Sequence, residues 1–187
     1  MAIRAIGFGA AAVMCAALAT FAAQSAITVI GSSNARLCYL AAEHRQQLRG
    51  AIEACDAALT TEALSRRDRS ATFVNRGIVR MQAEQFDRAL QDFRSALEID
   101  ASLAEAHTNR GIAEWRKGSD KAAALASLTR GIELDTAEAD VAHFYRALVN
   151  EDLGDLAAAY RDLQKAAELN PDWNAPQQEL SRFKIVG

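Results

Sequence analysis

Asn75-Arg76-Gly77-Ile78 and, 34 residues later, Asn109-Arg110-Gly111-Ile112 are the same four residues twice over. A looser third copy reads Tyr145-Arg146-Ala147-Leu148. Identity at a fixed separation of this size marks a structural repeat, and the period has to be settled before any local structure is read. Downstream of each copy, small, large and small residues recur at helical spacing: Ala89, Phe93, Ala96; then Ala124, Leu128, Gly131; then Ala159, Leu163, Ala166. Each unit also closes alike, in Leu97-Glu98-Ile99-Asp100, Ile132-Glu133-Leu134-Asp135 and Ala167-Glu168-Leu169-Asn170-Pro171.

The pattern resembles the tetratricopeptide-repeat family. Its unit of 34 residues is a helix-turn-helix with a small residue midway along the first helix and Ala, aromatic, Ala along the second. The resemblance implies an all-α fold, a superhelical solenoid of antiparallel helix pairs, with repeats over 70–103, 104–138 and 140–173. Departures are visible. Arg76, Arg110 and Arg146 stand where leucine is usual, and Phe73, His107 and His143 replace the early tryptophan. The terminal proline survives only as Pro171, one residue is added in the turn Gly118 to Lys121, and Ala139 lengthens the next junction.

Composition agrees with helices: the chain is 50 % hydrophobic and 24 % charged, with two prolines and much alanine, as in a globular protein whose helices approach closely. The start of the chain differs. Arg4 is the only charge before Arg36, Ala5 to Ala23 is apolar apart from Thr20, and small residues follow. That order is a secretory signal peptide over 1–26, cleaved after Ala22 or Ser25. The alternative is a retained membrane helix, since such a run can reach across a bilayer. Its alanine and glycine content makes it insert weakly, and Met14 before Cys15 argues against lipidation. Removing residues 1–26 deletes Arg4 and no acid, taking the formal charge from -3 to -4. A mildly acidic chain without clustered Lys and Arg is neither a nucleic-acid binder nor an electrostatic membrane binder.

A degenerate unit over 32–65 precedes the full repeats. Ala51, Cys55 and Ala58 repeat the second-helix spacing, and a first helix runs roughly from Ser33 to Arg45. Cys38 and Cys55 are then the one pair left after export, set symmetrically about Gln46-Gln47 where the hairpin turns, so a disulfide is expected between them. Residues Arg66 to Arg69 insert before the first full repeat, with Asp68 or Ser70 as helix cap. After Pro171, a helix over 174–185 is expected to cap the array.

No phosphate loop, serine elbow or Cys-x-x-Cys pair is present. His107 and His143 take equivalent places in successive repeats but have no third ligand, and His44 reads as a helix-end residue. Catalytic and metal residues are therefore none, with no cofactor and no small-molecule substrate. Stacked helix pairs in this family hold peptides on a concave surface lined by the first helices. In this chain the lining implied is Val74, Asn75, Ile78 and Met81, then Thr108, Asn109, Ile112 and Trp115, then Phe144, Tyr145, Leu148 and Glu151. Asn75 and Asn109 take the place where some members grip a peptide backbone with an amide, which offers donor and acceptor together. The carboxylate clamp of chaperone-binding relatives is missing, because Val74, Ile78 and Thr108 occupy its places. The repeated arginines are expected to pack their stems in the helix seam and reach carboxylates such as Asp87 or Glu114. The function implied is a non-enzymatic interaction module for a protein or peptide partner, periplasmic or secreted. The alternative is a membrane-anchored assembly factor that keeps its N-terminal helix.

Overall fold

A computed structural model of the chain describes residues 2–5, 26–28, 33–44 and 48–186. The described elements are β1 (Ala2–Ala5), α1 (Ser33–His44), α2 (Leu48–Thr61), α3 (Arg66–Gln82), α4 (Phe86–Ile99), α5 (Ala104–Lys117), α6 (Lys121–Glu133), α7 (Ala139–Leu153), α8 (Leu156–Leu169), α9 (Asn174–Leu180) and β2 (Phe183–Val186). They fall into two compact units. One holds α1 to α6; the other holds β1, α7, α8, α9 and β2. The fold is all-α, built of antiparallel helix pairs, with one short two-stranded ribbon.

The first unit contains three hairpins, α1 with α2, α3 with α4 and α5 with α6, and successive hairpins pack on one another. Their cores follow the small-large-small pattern. Ala89, Phe93 and Ala96 of α4 are fully buried, as are Ala124 and Leu128 of α6. The glycines of the repeated string exist because of this packing: a Cβ on Gly77 would lie 2.5 Å from the Phe93 ring, and one on Gly111 would lie 2.6 Å from Leu128. Only a residue without a side chain admits the second helix that close.

In the first hairpin Cys55 takes the place of the large residue, and it is bonded to Cys38 across the α1–α2 pair, with Cα atoms 4.8 Å apart. Closing a loop with a separation of 17 residues restrains the unfolded chain by about 3 kcal/mol in the loop-entropy picture. The expected turn, Gln46-Gln47, lies outside the described residues.

Helix α3 starts earlier than expected. Arg66 to Arg69 form its first turn instead of an insert, and Ser65 is the cap: its hydroxyl oxygen accepts the Asp68 N–H, while its O–H donates to the Asp68 carboxylate. Neither Asp68 nor Ser70 caps the helix. A serine three residues ahead of an acidic residue satisfies two groups at once, which is why it wins over either alternative.

In the second unit α7 and α8 pair, and α9 lies against α8 with Ala175 and Pro176 buried. The expected final helix over 174–185 stops at Leu180. Phe183–Val186 runs instead as β2, antiparallel to β1, with Ala2 opposite Val186 and Ala5 opposite Phe183. Phe183 turns onto the Tyr160 ring at 5.8 Å, and Arg182 pairs with both Glu151 and Glu179, so side-chain contacts end the helix. Ile185 and Val186, β-branched, favour the extended backbone that follows. Both expected cleavage points, and most of the expected signal peptide 1–26, lie outside the described residues.

Candidate functional site

The arginines of the repeated string turn inward. Arg76 makes a two-pronged contact with Asp92 on α4, its Nη2 at 2.7 Å and its Nε at 3.1 and 3.2 Å, and its Nη1 reaches Asp56 on α2 at 2.5 Å. Arg80, one turn on, donates to the other Asp92 oxygen at 2.7 Å. Asp92 itself is 1 % exposed, so this carboxylate is available to no ligand. Arg146 of α7 repeats the contact with Asp162 on α8, at 2.9 and 2.7 Å. His143 Nδ1 at 2.8 Å and Asn150 at 3.2 Å complete that cluster. Burial, the largest influence, would raise the Asp162 carboxyl, but the bonds from His143 and Arg146 outweigh it and hold the group below its ordinary value.

The middle repeat exchanges the partners. Ser127 stands where Asp92 and Asp162 stand, and the carboxylate has moved to Glu114 on α5, in the place of Arg80 and Asn150. Arg110 Nε donates to the Ser127 hydroxyl at 3.0 Å, and that hydroxyl lies 2.7 Å from Glu114. Of the two partners anticipated for the arginines, Glu114 is found and Asp87 is not; Asp87 pairs with Lys117 at 2.6 Å. His107 gains no acidic partner because Ser127 is short. Its Nε2 faces the Ala101 carbonyl at 3.0 Å, and burial pushes its pKa down. Sequence reading missed the Asp92, Ser127, Asp162 series, whose signal is that each stands one residue before the large residue of its second helix.

The apolar residues expected to line an open groove are mostly interior. Val74, Ile78 and Met81 are fully buried, Thr108 and Ile112 nearly so, and Phe144, Tyr145 and Leu148 are buried too. In the first unit the reason is direct: α3 is packed by α1 on one side and α5 on the other, which closes over its apolar positions. Phe144 stands edge-on to Tyr145 at 5.7 Å and is tilted against Trp173 at 4.7 Å, so it is core. Trp115 and Glu151 remain half-buried.

The two asparagines part company. Asn75 holds a stretch of main chain: its Oδ1 accepts the Ile27 N–H at 2.8 Å and its Nδ2 donates to the Ile27 carbonyl at 2.8 Å. Both ends of one amide thus read both ends of one residue, a two-point contact that ignores side-chain identity. Ile27 adds its own apolar contact, packing with Leu64 against the buried cluster Ala35, Ala58 and Ala71. Asn109 has turned away. Its Nδ2 donates to the Glu105 carbonyl of its own helix at 2.9 Å, and its buried Oδ1 has no hydrogen-bond partner. Sequence reading missed Ile27 because the residue sits at the edge of the expected leader, where nothing in the repeat pattern points.

Two family models match the sequence, one described as "TPR repeat" over residues 77–118 and one as "Tetratricopeptide repeat" over residues 141–173. The chain carries tetratricopeptide repeats. Among solved structures with this repeat fold, a crystal structure of MamA aligns with a TM-score of 0.64 at 22 % identity, covering 81 % of this chain and 82 % of that one. A further MamA crystal structure aligns at 0.60 and 24 % identity, covering 73 % and 72 %. The first TPR domain of Spaghetti (RPAP3), bound to the HSP90 peptide SRMEEVD, aligns at 0.56 and 20 % identity, covering 60 % of this chain and 87 % of that one. No curated protein matches the sequence. At these identities the likeness establishes the tetratricopeptide fold. Among the described residues no three His, Cys, Asp or Glu side chains come together as a metal site, and no helix is long and apolar enough to cross a membrane.

Proposed function

We propose that the chain is a non-enzymatic interaction module that recognises an extended segment of polypeptide. One observation carries this reading: Asn75 engages the N–H and C=O of a single residue at 2.8 Å each, the geometry by which a protein reads a main chain independently of its sequence. The repeats support it, as does the neighbour solved with a peptide bound. The residue held by Asn75 is not a chain end, and both contacts are to its main chain. The module is therefore read as a binder of internal extended segments.

An exported location goes with this function. The apolar start, with Arg4 as its single charged side chain, and the Cys38–Cys55 bond support it, because disulfides persist in oxidising compartments. The membrane-anchored assembly factor is the second reading, favoured only by the length of the apolar run. Mass spectrometry of the mature N-terminus separates them: a new terminus at Ala23 or Ala26 is expected, and an intact Met1 start overturns export by cleavage.

For binding, a display library of random peptides flanked by long linkers is the direct test. Selected sequences are expected to bind in the middle of a chain as well as at its end, and to lose at least tenfold in affinity for an Asn75→Leu variant. Selection of none, or affinity indifferent to Asn75, sinks the reading.

A further inference from the structure

We infer that the segment carrying Ile27 is an intramolecular ligand of the repeat array: it fills the Asn75 site in cis and has to leave before an external segment can bind there. The inference rests on the peptide-binding reading above and adds its regulation and its preference. Ile27 is 48 positions away from Asn75 in the chain and belongs to no helix or strand. Among the described residues it is held by the Asn75 amide and by its own aliphatic side chain, the way a bound peptide residue is held. The seat is complete without it. Ala35, Ala58 and Ala71 are drawn from α1, α2 and α3 and form a shallow floor of methyl groups, with Leu64 beside it, and Asn75 stands one turn beyond Ala71 on α3.

The seat also states what it accepts. Alanine floors leave room for a side chain of modest width lying flat, which a branched aliphatic such as isoleucine fills, whereas a charged side chain would be desolvated there with no partner. The external ligand is accordingly an extended segment with Val or Ile at the clamped residue. Cis attachment raises the local concentration of the occupant to the millimolar range for a short tether, so a free peptide of like sequence is at a disadvantage until the cis segment is weakened. Ile27→Pro does this selectively: it removes the N–H that Asn75 accepts and lies outside every helix.

Two measurements on the purified exported form, or on the full chain if Met1 is retained, test the inference. Hydrogen exchange is read at the Ile27 amide at two protein concentrations. Anisotropy follows a labelled peptide of residues 26–32 added to the intact chain, to Ile27→Pro and to the double variant Ile27→Pro with Asn75→Leu. The Ile27 amide is expected to exchange at least tenfold more slowly than in an unfolded chain, independently of concentration, and to lose that protection in Asn75→Leu. The peptide is expected to bind Ile27→Pro at least tenfold more tightly than the intact chain, and the double variant no better than the intact chain.

An unprotected Ile27 amide overturns the inference while leaving the library test of the module untouched. Protection that grows with concentration overturns it in favour of a second copy donating the segment. A protected amide with equal peptide affinities for the intact and Ile27→Pro chains also overturns it, because the segment is then a fixed strap. If library selection fails as well, the module reading falls with it.

Discussion

The helix pairs α3–α4 and α7–α8 meet the same packing demands with different residues. In α3–α4 the first helix offers Gly77 and the second the bulky Phe93; in α7–α8 the corresponding residues are Ala147 and Leu163, both buried. Asp92 is held by two arginines, Asp162 by one arginine, a histidine and an asparagine. The turn of the first pair is Ala83-Glu84-Gln85, that of the second Gly154-Asp155. What repeats, then, is a set of compensated pairs, a volume against a volume and a charge against a charge. The pair α5–α6 shows the same rule with the carboxylate moved to the opposite helix, as Glu114 facing Ser127.

The largest expected effect comes from removing one member of a charge set. Asp92→Ala leaves Arg76 and Arg80, whose side chains are only 15 % and 14 % exposed, with the half-exposed Asp56 to share between two cations, and it should destabilise the chain by about 3–5 kcal/mol in urea unfolding followed by circular dichroism. Asp162→Ala takes the carboxylate from one arginine, Arg146, instead of two, and about 1–3 kcal/mol is expected. Equal costs would show that the second arginine adds nothing to the penalty. Asp162 adds a pH signature. Its carboxyl is held below the ordinary range, so the stability it contributes is fully present above the unfolded value near pH 4. That contribution is lost as pH falls through the folded value. Asp162→Asn should therefore flatten the acid limb of the stability profile; an unchanged limb would assign acid sensitivity elsewhere.

The volume pairs come next. Gly77→Ala drives a methyl into the Phe93 ring, and about 1–3 kcal/mol of destabilisation is expected. Adding Phe93→Leu reproduces the combination already present at Ala147 and Leu163, so the double variant should be more stable than Gly77→Ala alone. Gly111→Ala is not open to the same rescue. Its partner is already Leu128, and the Ala124 carbonyl lies 3.0 Å from the added carbon. A double-mutant cycle on positions 77 and 93 measures the coupling directly; simple additivity would mean that the backbone, not the ring, sets the requirement for glycine.

These pairs also mark what could be read from the chain and what could not. Period, helix type and the small-large-small faces were legible, because each depends on spacing within a few residues and recurs. The Arg-to-carboxylate pairing was half legible: an inward role followed from recurrence, but the partner sat on the other helix and varied between Asp and Ser. Burial of Val74, Ile78 and Met81 was not legible, since it depends on how tightly neighbouring first helices close. Asn75 and Asn109 carry the same local sequence and differ only in what reaches them, one a distant segment around Ile27 and the other its own helix. No repeat pattern encodes that.

The smallest effect concerns the turn, and there the first pair is open to improvement. Glu84 adopts a left-handed backbone, φ 58°, at the place where Gly118 and Gly154 take φ 72° and 87°. A residue with a Cβ is strained by roughly 1–2 kcal/mol in that conformation, whereas glycine is not. Gln85, next to it, begins α4 without accepting any of the helix's backbone N–H groups on its side chain, while Asp120 and Asp155 each accept a backbone N–H at 2.9 Å in the corresponding place. Glu84→Gly with Gln85→Asp thus writes the Gly154-Asp155 turn into the first repeat. A gain of about 1–2 kcal/mol is expected, with the cap supplying roughly half. Glycine gives part of its benefit back by loosening the unfolded chain, so Gln85→Asp alone should show most of a single cap's value. If neither substitution raises the urea midpoint, the left-handed turn at Glu84 is held by its neighbours without strain, and the two turns are equivalent despite their residues.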